Sequence, residues 1–256
     1  MTISVRRRGG EFRTSETHHP HNLAFRELMR LPDRVTRMTR KMKDSEFRES
    51  MKLGVHLPFI TTINTLVEDL WEDEPPTGRG WVPYVAPNHG GAEAPVLSVL
   101  RDPGPMTSED RGSGMLSVEN DDDTAALQCE LLENAGLAPK DITPWNAYPW
   151  YRHDQSSGLS SRQVTEGIEP LRRLIDLLPD LKVVLLQGRE AQLLWKRFSR
   201  KHSDTAGRYV AVESYHPGRT ALRHPDPEVR HARDARRREA FHEVAGVLSG
   251  KGSTRR

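Results

Sequence analysis

Residues 96–105, Val-Leu-Ser-Val-Leu-Arg-Asp-Pro-Gly-Pro, join a short apolar run directly to a cluster of turn formers. A run of this length, bounded by Gly and Pro, is the pattern of a strand buried on both faces. Such strands belong to parallel sheets covered by helices. The pattern recurs along the chain. Asp141–Ala147 reads as a second strand, Val183–Leu186 as a third ended by Gly188, and Tyr209–Glu213 as a fourth. Helical stretches lie between them. Asp123-Thr124 caps a helix that runs through Ala135, with Leu127, Leu131 and Leu132 inward and Gly136 as its stop. Pro170 opens another, with Leu171, Leu174, Ile175 and Leu178 on one face, and Arg189–Lys201 and Glu228–Leu248 follow. Strand and helix alternate, which predicts an α/β fold of three layers, α/β/α, around a four-stranded parallel sheet.

Upstream of this region, Phe59, Ile63, Leu66, Val67 and Leu70 recur at helical spacing behind Pro58, which is expected at the first helical position. Residues 23–52 are helical in composition but strongly charged, and EDEPPTGRG at 72–80 breaks the chain. The expected organisation is a disordered basic start at 1–21 that holds His18, His19 and His21, a segment of N-terminal helices at 22–75, and the α/β domain at 80–250.

Composition narrows the function classes. The 38 Lys+Arg and 36 Asp+Glu nearly cancel, so self-repulsion does not force disorder, and 35% apolar residues are enough for one core. No apolar run approaches the roughly 18 residues of a membrane span, and MTISVRRRGG lacks the hydrophobic stretch of a signal peptide, so a cytoplasmic protein is expected. The single cysteine, Cys129, excludes an internal disulfide, a four-cysteine zinc site and a cysteine-bound iron–sulfur cluster. Charge is unevenly spread. Arg219–Arg256 holds ten Lys/Arg against five Asp/Glu, and Arg26–Lys52 holds nine against five. Glu119, Asp121, Asp122 and Asp123 make the middle acidic. Basic ends fit contact with a polyanion, or simply solvated helix faces.

In sheets of this kind the ligand lies outside the carboxyl ends of the strands. Those ends carry Arg101-Asp102-Pro103-Gly104-Pro105, Pro144-Trp145-Asn146-Ala147-Tyr148-Pro149-Trp150-Tyr151 and Ser214-Tyr215-His216-Pro217-Gly218-Arg219. An Asp-Pro turn or a His-Pro-Gly turn alone is ordinarily structural. An acid, an amide and a histidine on three different strand ends, in this order and on the same face of the sheet, are expected to converge on one cavity. The chain has no 20–50-residue internal repeat, no glycine-rich phosphate loop before a helix and no GxSxG elbow.

With these residues in view, the chain resembles the uracil-DNA glycosylase superfamily. Members carry a first motif of the GQDPYH or GEAPG type, an Asn after a second strand, a small-residue turn after a third and an HPS-type loop near the end. The counterparts are LRDPGP at 100–105, WNAYPWY at 145–151, QGREA at 187–191 and SYHPGRTAL at 214–222, so the resemblance covers about residues 80–248. It implies a uracil-DNA glycosylase-like catalytic domain with a four-stranded parallel sheet between helices, acting on double- or single-stranded DNA without metal or cofactor. By position, Asp102 would orient or activate water, Asn146 would read the base edge, and His216 would stabilise charge on the leaving base. The segment Gly218, Arg219, Thr220 and Leu222 would be the loop pushed into the duplex. Arg101, Arg219 and Arg223 would meet phosphates, Arg101 alternatively a sugar substituent. Met115 or Leu116 would stack on the base or belong to the core, and Asn88 and His89 would add polar contacts or form a plain turn.

The chemistry wants these groups. Breaking an N-glycosidic bond develops positive charge on the sugar and negative charge on the departing pyrimidine. A carboxylate favours the first and an imidazole donor the second, and one such donor is worth about 3 kcal/mol. The base has to leave the stack to be reached. One departure bears on specificity. The Tyr that crowds the pyrimidine C5 position in the GQDPYH type is replaced by Gly104. The expected substrates are therefore uracil or a C5-modified base such as glucosylated hydroxymethylcytosine of phage DNA, for repair or antiphage defence. No Lys matches a Schiff-base position, so a monofunctional enzyme using water is expected. The alternatives are a catalytically weak DNA- or partner-binding module on the same scaffold, and an unrelated α/β hydrolase of small nucleosides.

Overall fold

A computed structural model describes residues 39–72 and 80–251. The expected disordered start with its histidine cluster, the helical segment up to residue 38, and residues 73–79 of the break lie outside the described residues.

Helix α1 (Ser45–Leu53) is capped by Asp44, whose carboxylate accepts from the Phe47 N–H. Helix α2 (Thr61–Glu72) starts three residues later than Pro58 suggests. The Phe59 carbonyl accepts from the Ala92 N–H at 2.7 Å instead of serving a helical turn, so residues 58–60 remain a turn. The chain continues through β1 (Tyr84–Val85), β2 (Val96–Leu100), β3 (Met115–Leu116), α3 (Asp123–Asn134), β4 (Ile142–Asn146), α4 (Ser161–Glu166), α5 (Ile168–Asp176), β5 (Val183–Gln187), α6 (Arg189–Lys201), α7 (Ser203–Ala206), β6 (Val210–Ser214) and α8 (Pro227–Leu248).

Four strands form one parallel sheet in the order β4-β2-β5-β6. Leu100 lies opposite Asn146, Val96 opposite Val183, and Gln187 opposite Ser214. From β2 the chain passes to β4 on one side and then returns to β5 on the other. The strand order therefore reverses at β2, and a crevice opens beyond the carboxyl ends there.

Alternation along the strands builds a core on each face. Leu97, Val99, Trp145, Val184 and Leu186 pack with Ile63 and Val67 of α2, Leu171 and Leu174 of α5, and Leu194 and Phe198 of α6. Val96, Ile142, Val183, Leu185 and Val212 face the other way, onto Leu131 and Leu132 of α3 and Phe241 and Val244 of α8. Each such side chain contributes about 1.5–3 kcal/mol by leaving water. The result is the three-layer α/β arrangement.

The structure differs from the sequence reading in several elements. β6 is an edge strand, so it is not apolar on both faces: Val210, Ala211 and Glu213 are exposed while Val212 and Ser214 are buried. The cap of α3 is Asp122, whose carboxylate accepts from the Thr124 and Ala125 N–H groups, and not Asp123-Thr124. Helix α5 begins at Ile168 rather than Pro170, because Gly167 joins it to α4. A Cβ on Gly167 would lie 1.9 Å from the Ala147 carbonyl oxygen, so only glycine lets this junction press against the chain beyond β4. The short parallel pair β1–β3 and helix α4 have no counterpart in the reading. Among the described residues no helix is long and apolar enough to cross a membrane.

Candidate active site

Pairing between β2 and β4 continues past their ends. The Ala147 N–H donates to the Leu100 carbonyl at 2.8 Å and the Tyr148 N–H to Arg101 at 3.0 Å. Asp102, just past β2, and Asn146, the last residue of β4, therefore stand side by side at the carboxyl edge of the sheet. On the other flank, the Gly188 N–H donates to the Ser214 carbonyl at 2.9 Å, which draws the end of β5 to the end of β6. Gly188 has φ +102°, and a Cβ there would stand 3.1 Å from the His216 Cβ. Glycine both permits the turn and leaves room for the imidazole.

These four strand ends enclose a cleft of about 690 Å³, within the size range of small-ligand sites. Of the expected residues, Arg101, Asp102, Gly104, Asn146, His216, Gly218, Arg219 and Thr220 line it. Met115, Asn88, Leu222 and Arg223 do not. Met115 pairs with Tyr84 in the small sheet and is fully buried, because β3 turns its side chain inward; its neighbour Leu116 reaches the cleft. Asn88 stands behind the wall, where its side-chain oxygen accepts from the Ser117 hydroxyl at 3.2 Å. His89 ties two loops: its Nε2 accepts from the Val118 N–H at 3.3 Å, and its Nδ1 lies 3.1 Å from the Pro139 carbonyl. Leu222 closes the short turn Arg219–Leu222, and the Arg223 carbonyl accepts from Arg233 of α8.

Asp102 is almost fully enclosed, its side chain 2% exposed. Its Oδ1 accepts from Arg101 Nε at 2.5 Å. Its Oδ2 accepts from Arg152 Nε at 2.8 Å and Nη2 at 2.6 Å. Asn146 is buried, and its side-chain oxygen has no hydrogen-bond partner among the described residues. An amide left unbonded in a wall is costly unless something in the cleft meets it.

The His216 Nδ1 accepts from the Gly218 N–H at 2.8 Å. In a neutral ring this assigns the proton to Nε2, which is then a donor. The imidazole pKa is lowered to about 4, first by burial and then by the Arg101 charge, with the Asp102 carboxylate opposing the fall and Arg237 adding to it. The ring is therefore neutral at pH 7. Asp122 also lines the cleft, and burial raises its carboxyl above the usual range against the two N–H groups it caps.

The sequence reading missed Arg152, Gln155 and Gln128. The Gln155 amide donates to the Pro103 carbonyl at 2.6 Å and fixes the first loop. Gln128 of α3 lines the cleft and is buried. Arg152 follows the WNAYPWY stretch by one residue; a cation placed directly behind an apolar strand-end motif was the available signal. Among the described residues no group of three His, Cys, Asp or Glu side chains could hold a metal ion. No protein-family model matches this chain, and no curated protein matches it.

Proposed function

We propose that this protein is a uracil-DNA glycosylase-like enzyme that hydrolyses the N-glycosidic bond of a flipped-out pyrimidine and leaves an abasic site. One observation carries the reading: Asp102, Asn146 and His216, from three strand ends, line a single cleft. Asp102 supplies negative charge near the sugar and a place for the attacking water. The neutral His216, with Nε2–H as donor, serves the oxygen of the departing base without first losing a proton. Asn146, its oxygen unbonded, reads the base edge. Arg101, Arg219 and Thr220 stand at the cleft where the backbone of an everted nucleotide would pass.

The target is uracil or a pyrimidine enlarged at C5, with glucosylated hydroxymethylcytosine of phage DNA as one candidate. A Cβ on Gly104 would meet nothing within 4 Å, so space beside the base is open. A uracil substrate means repair, and a bulky modified base means defence. The test is excision from duplexes carrying uracil, a thymine mismatch or hypermodified cytosine. At least one yields an abasic product, and Asp102→Asn, Asn146→Ala and His216→Ala each lower the rate at least about a hundredfold. No abasic product from any duplex overturns the reading. The double capping of Asp102 by arginines favours one alternative, a catalytically weak DNA- or partner-binding module. That alternative predicts tight duplex binding that survives all three substitutions.

A further inference from the structure

The two arginines on Asp102 are not equivalent. Arg152 makes two bonds to Oδ2, and its Nη2 also donates to the Ser157 carbonyl at 3.0 Å. Its side chain is 11% exposed and stands outside the cleft lining. Arg101 makes one bond, to Oδ1, is 30% exposed and lines the cleft. A planar fork held on one side by a carboxylate and on the other by a carbonyl is a fixed element. A single-bonded guanidinium at the cleft wall can change partner.

We propose that Arg152 is a positioning residue that fixes Asp102 through Oδ2, and that Arg101 is an exchangeable cover over Oδ1 which a DNA phosphate draws away. This rests on the glycosylase reading. With Arg101 over Oδ1 and Arg152 bonded twice to Oδ2, the carboxylate is only 2% exposed, so Arg101 shields the one remaining acceptor site on Oδ1 from water. When Arg101 turns to the phosphate beside the everted nucleotide, Oδ1 is bared while Arg152 holds the carboxylate in place. The water oxygen then bonds to C1′, and its proton passes to Oδ1. The C1′–N bond breaks with its electron pair left on the base, whose oxygen accepts from His216 Nε2–H. Asp102 faces Arg101 on its own loop, Arg152 from beyond β4 and His216 from beyond β6. The carboxylate is exposed to water only when backbone is bound, so the exchange couples DNA engagement to chemistry.

The test is steady-state and single-turnover kinetics of the full chain on a duplex that the unaltered protein cuts, with binding followed against salt. Arg152→Gln lowers kcat about a hundredfold by loosening the carboxylate, with KM and the salt dependence of binding kept. Arg152→Lys restores part of that loss. Arg101→Gln raises KM several-fold and removes about one phosphate contact from the salt slope, and its kcat falls less than that of Asp102→Asn. Circular dichroism checks folding; if Arg152→Gln does not fold, Arg152→Lys carries the test through a kcat below the unaltered protein's at unchanged KM. An Arg152 variant with undiminished kcat overturns the proposal, as does Arg101→Gln losing kcat as fully as Asp102→Asn. An unaltered chain that cuts no duplex overturns the glycosylase reading and this one with it.

Discussion

His216 shows how much a single residue's surroundings decide. Its imidazole titrates at about 4, against about 6.5 in an unfolded chain, because burial and the Arg101 charge disfavour the cation. The unfolded chain therefore binds a proton between these values that the folded chain refuses. Above pH 6.5 both forms are neutral and the contribution to stability is fully present. As pH falls from about 6.5 to about 4 it is lost, by roughly 3 kcal/mol in all, and below that it levels off. His216→Gln should flatten the fall in melting temperature across that window, and an unchanged slope would mean that the ring is not held neutral. The same ring, bonded at Nδ1 by the Gly218 N–H, should give the nitrogen NMR signature of an Nε2–H tautomer at pH 7.

At the scale of elements, the turn at Gly188 does for His216 what no side chain could. With φ +102° and the His216 Cβ beside it, Gly188→Ala should destabilise the protein by about 1–3 kcal/mol, read by chemical denaturation, and displace the imidazole. A variant of unchanged stability would show that the β5–α6 turn relaxes freely. The strands β2 and β5 were legible because nearly continuous apolar runs ended in turn residues, and α6 was legible because Gly188 precedes a strong apolar stripe. β6 was misjudged in character, since edge position depends on the order of strands and not on its own residues. The β1–β3 pair was invisible: two residues on each strand leave no periodicity, and their pairing is set by loops that the sequence does not describe. At the site, Asp102, Asn146 and His216 could be read because each stands at or just past a strand's carboxyl end. Gln128 could not, since it faces the cleft only because α3 lies across it, and for Arg152 the sequence marks a cation behind the motif but not the loop that folds it back onto Asp102. Met115 and Asn88 failed for the converse reason, as nearness in sequence to the first motif says nothing about which way β3 and the Asn88 loop turn.

For the whole molecule, a formal net charge of +2 over 256 residues gives little long-range attraction to DNA. At 0.1 M salt, exposed charges beyond about 10 Å are screened in any case. What matters is where the cations stand. On α8, Arg236 and Arg238 are paired with carboxylates, so much of the basic end of the chain is already neutralised within the fold. Three arginines line the cleft, namely Arg101, Arg189 and Arg219. Of these, Arg219 is 84% exposed and pairs across the cleft with Asp123 at 2.9 Å, a contact that solvent makes weak and a phosphate can replace. If each neutralises one phosphate, log K should fall with log salt concentration with a slope of about −2.7 on duplex DNA. Arg219→Gln and Arg189→Gln should each reduce that slope by about 0.9, while Arg236→Gln, outside the cleft, should leave it unchanged. Fluorescence anisotropy on a labelled duplex across 50–200 mM salt measures all four slopes; an Arg236 variant that matches the Arg219 variant would mean that DNA lies on α8 and not over the strand ends.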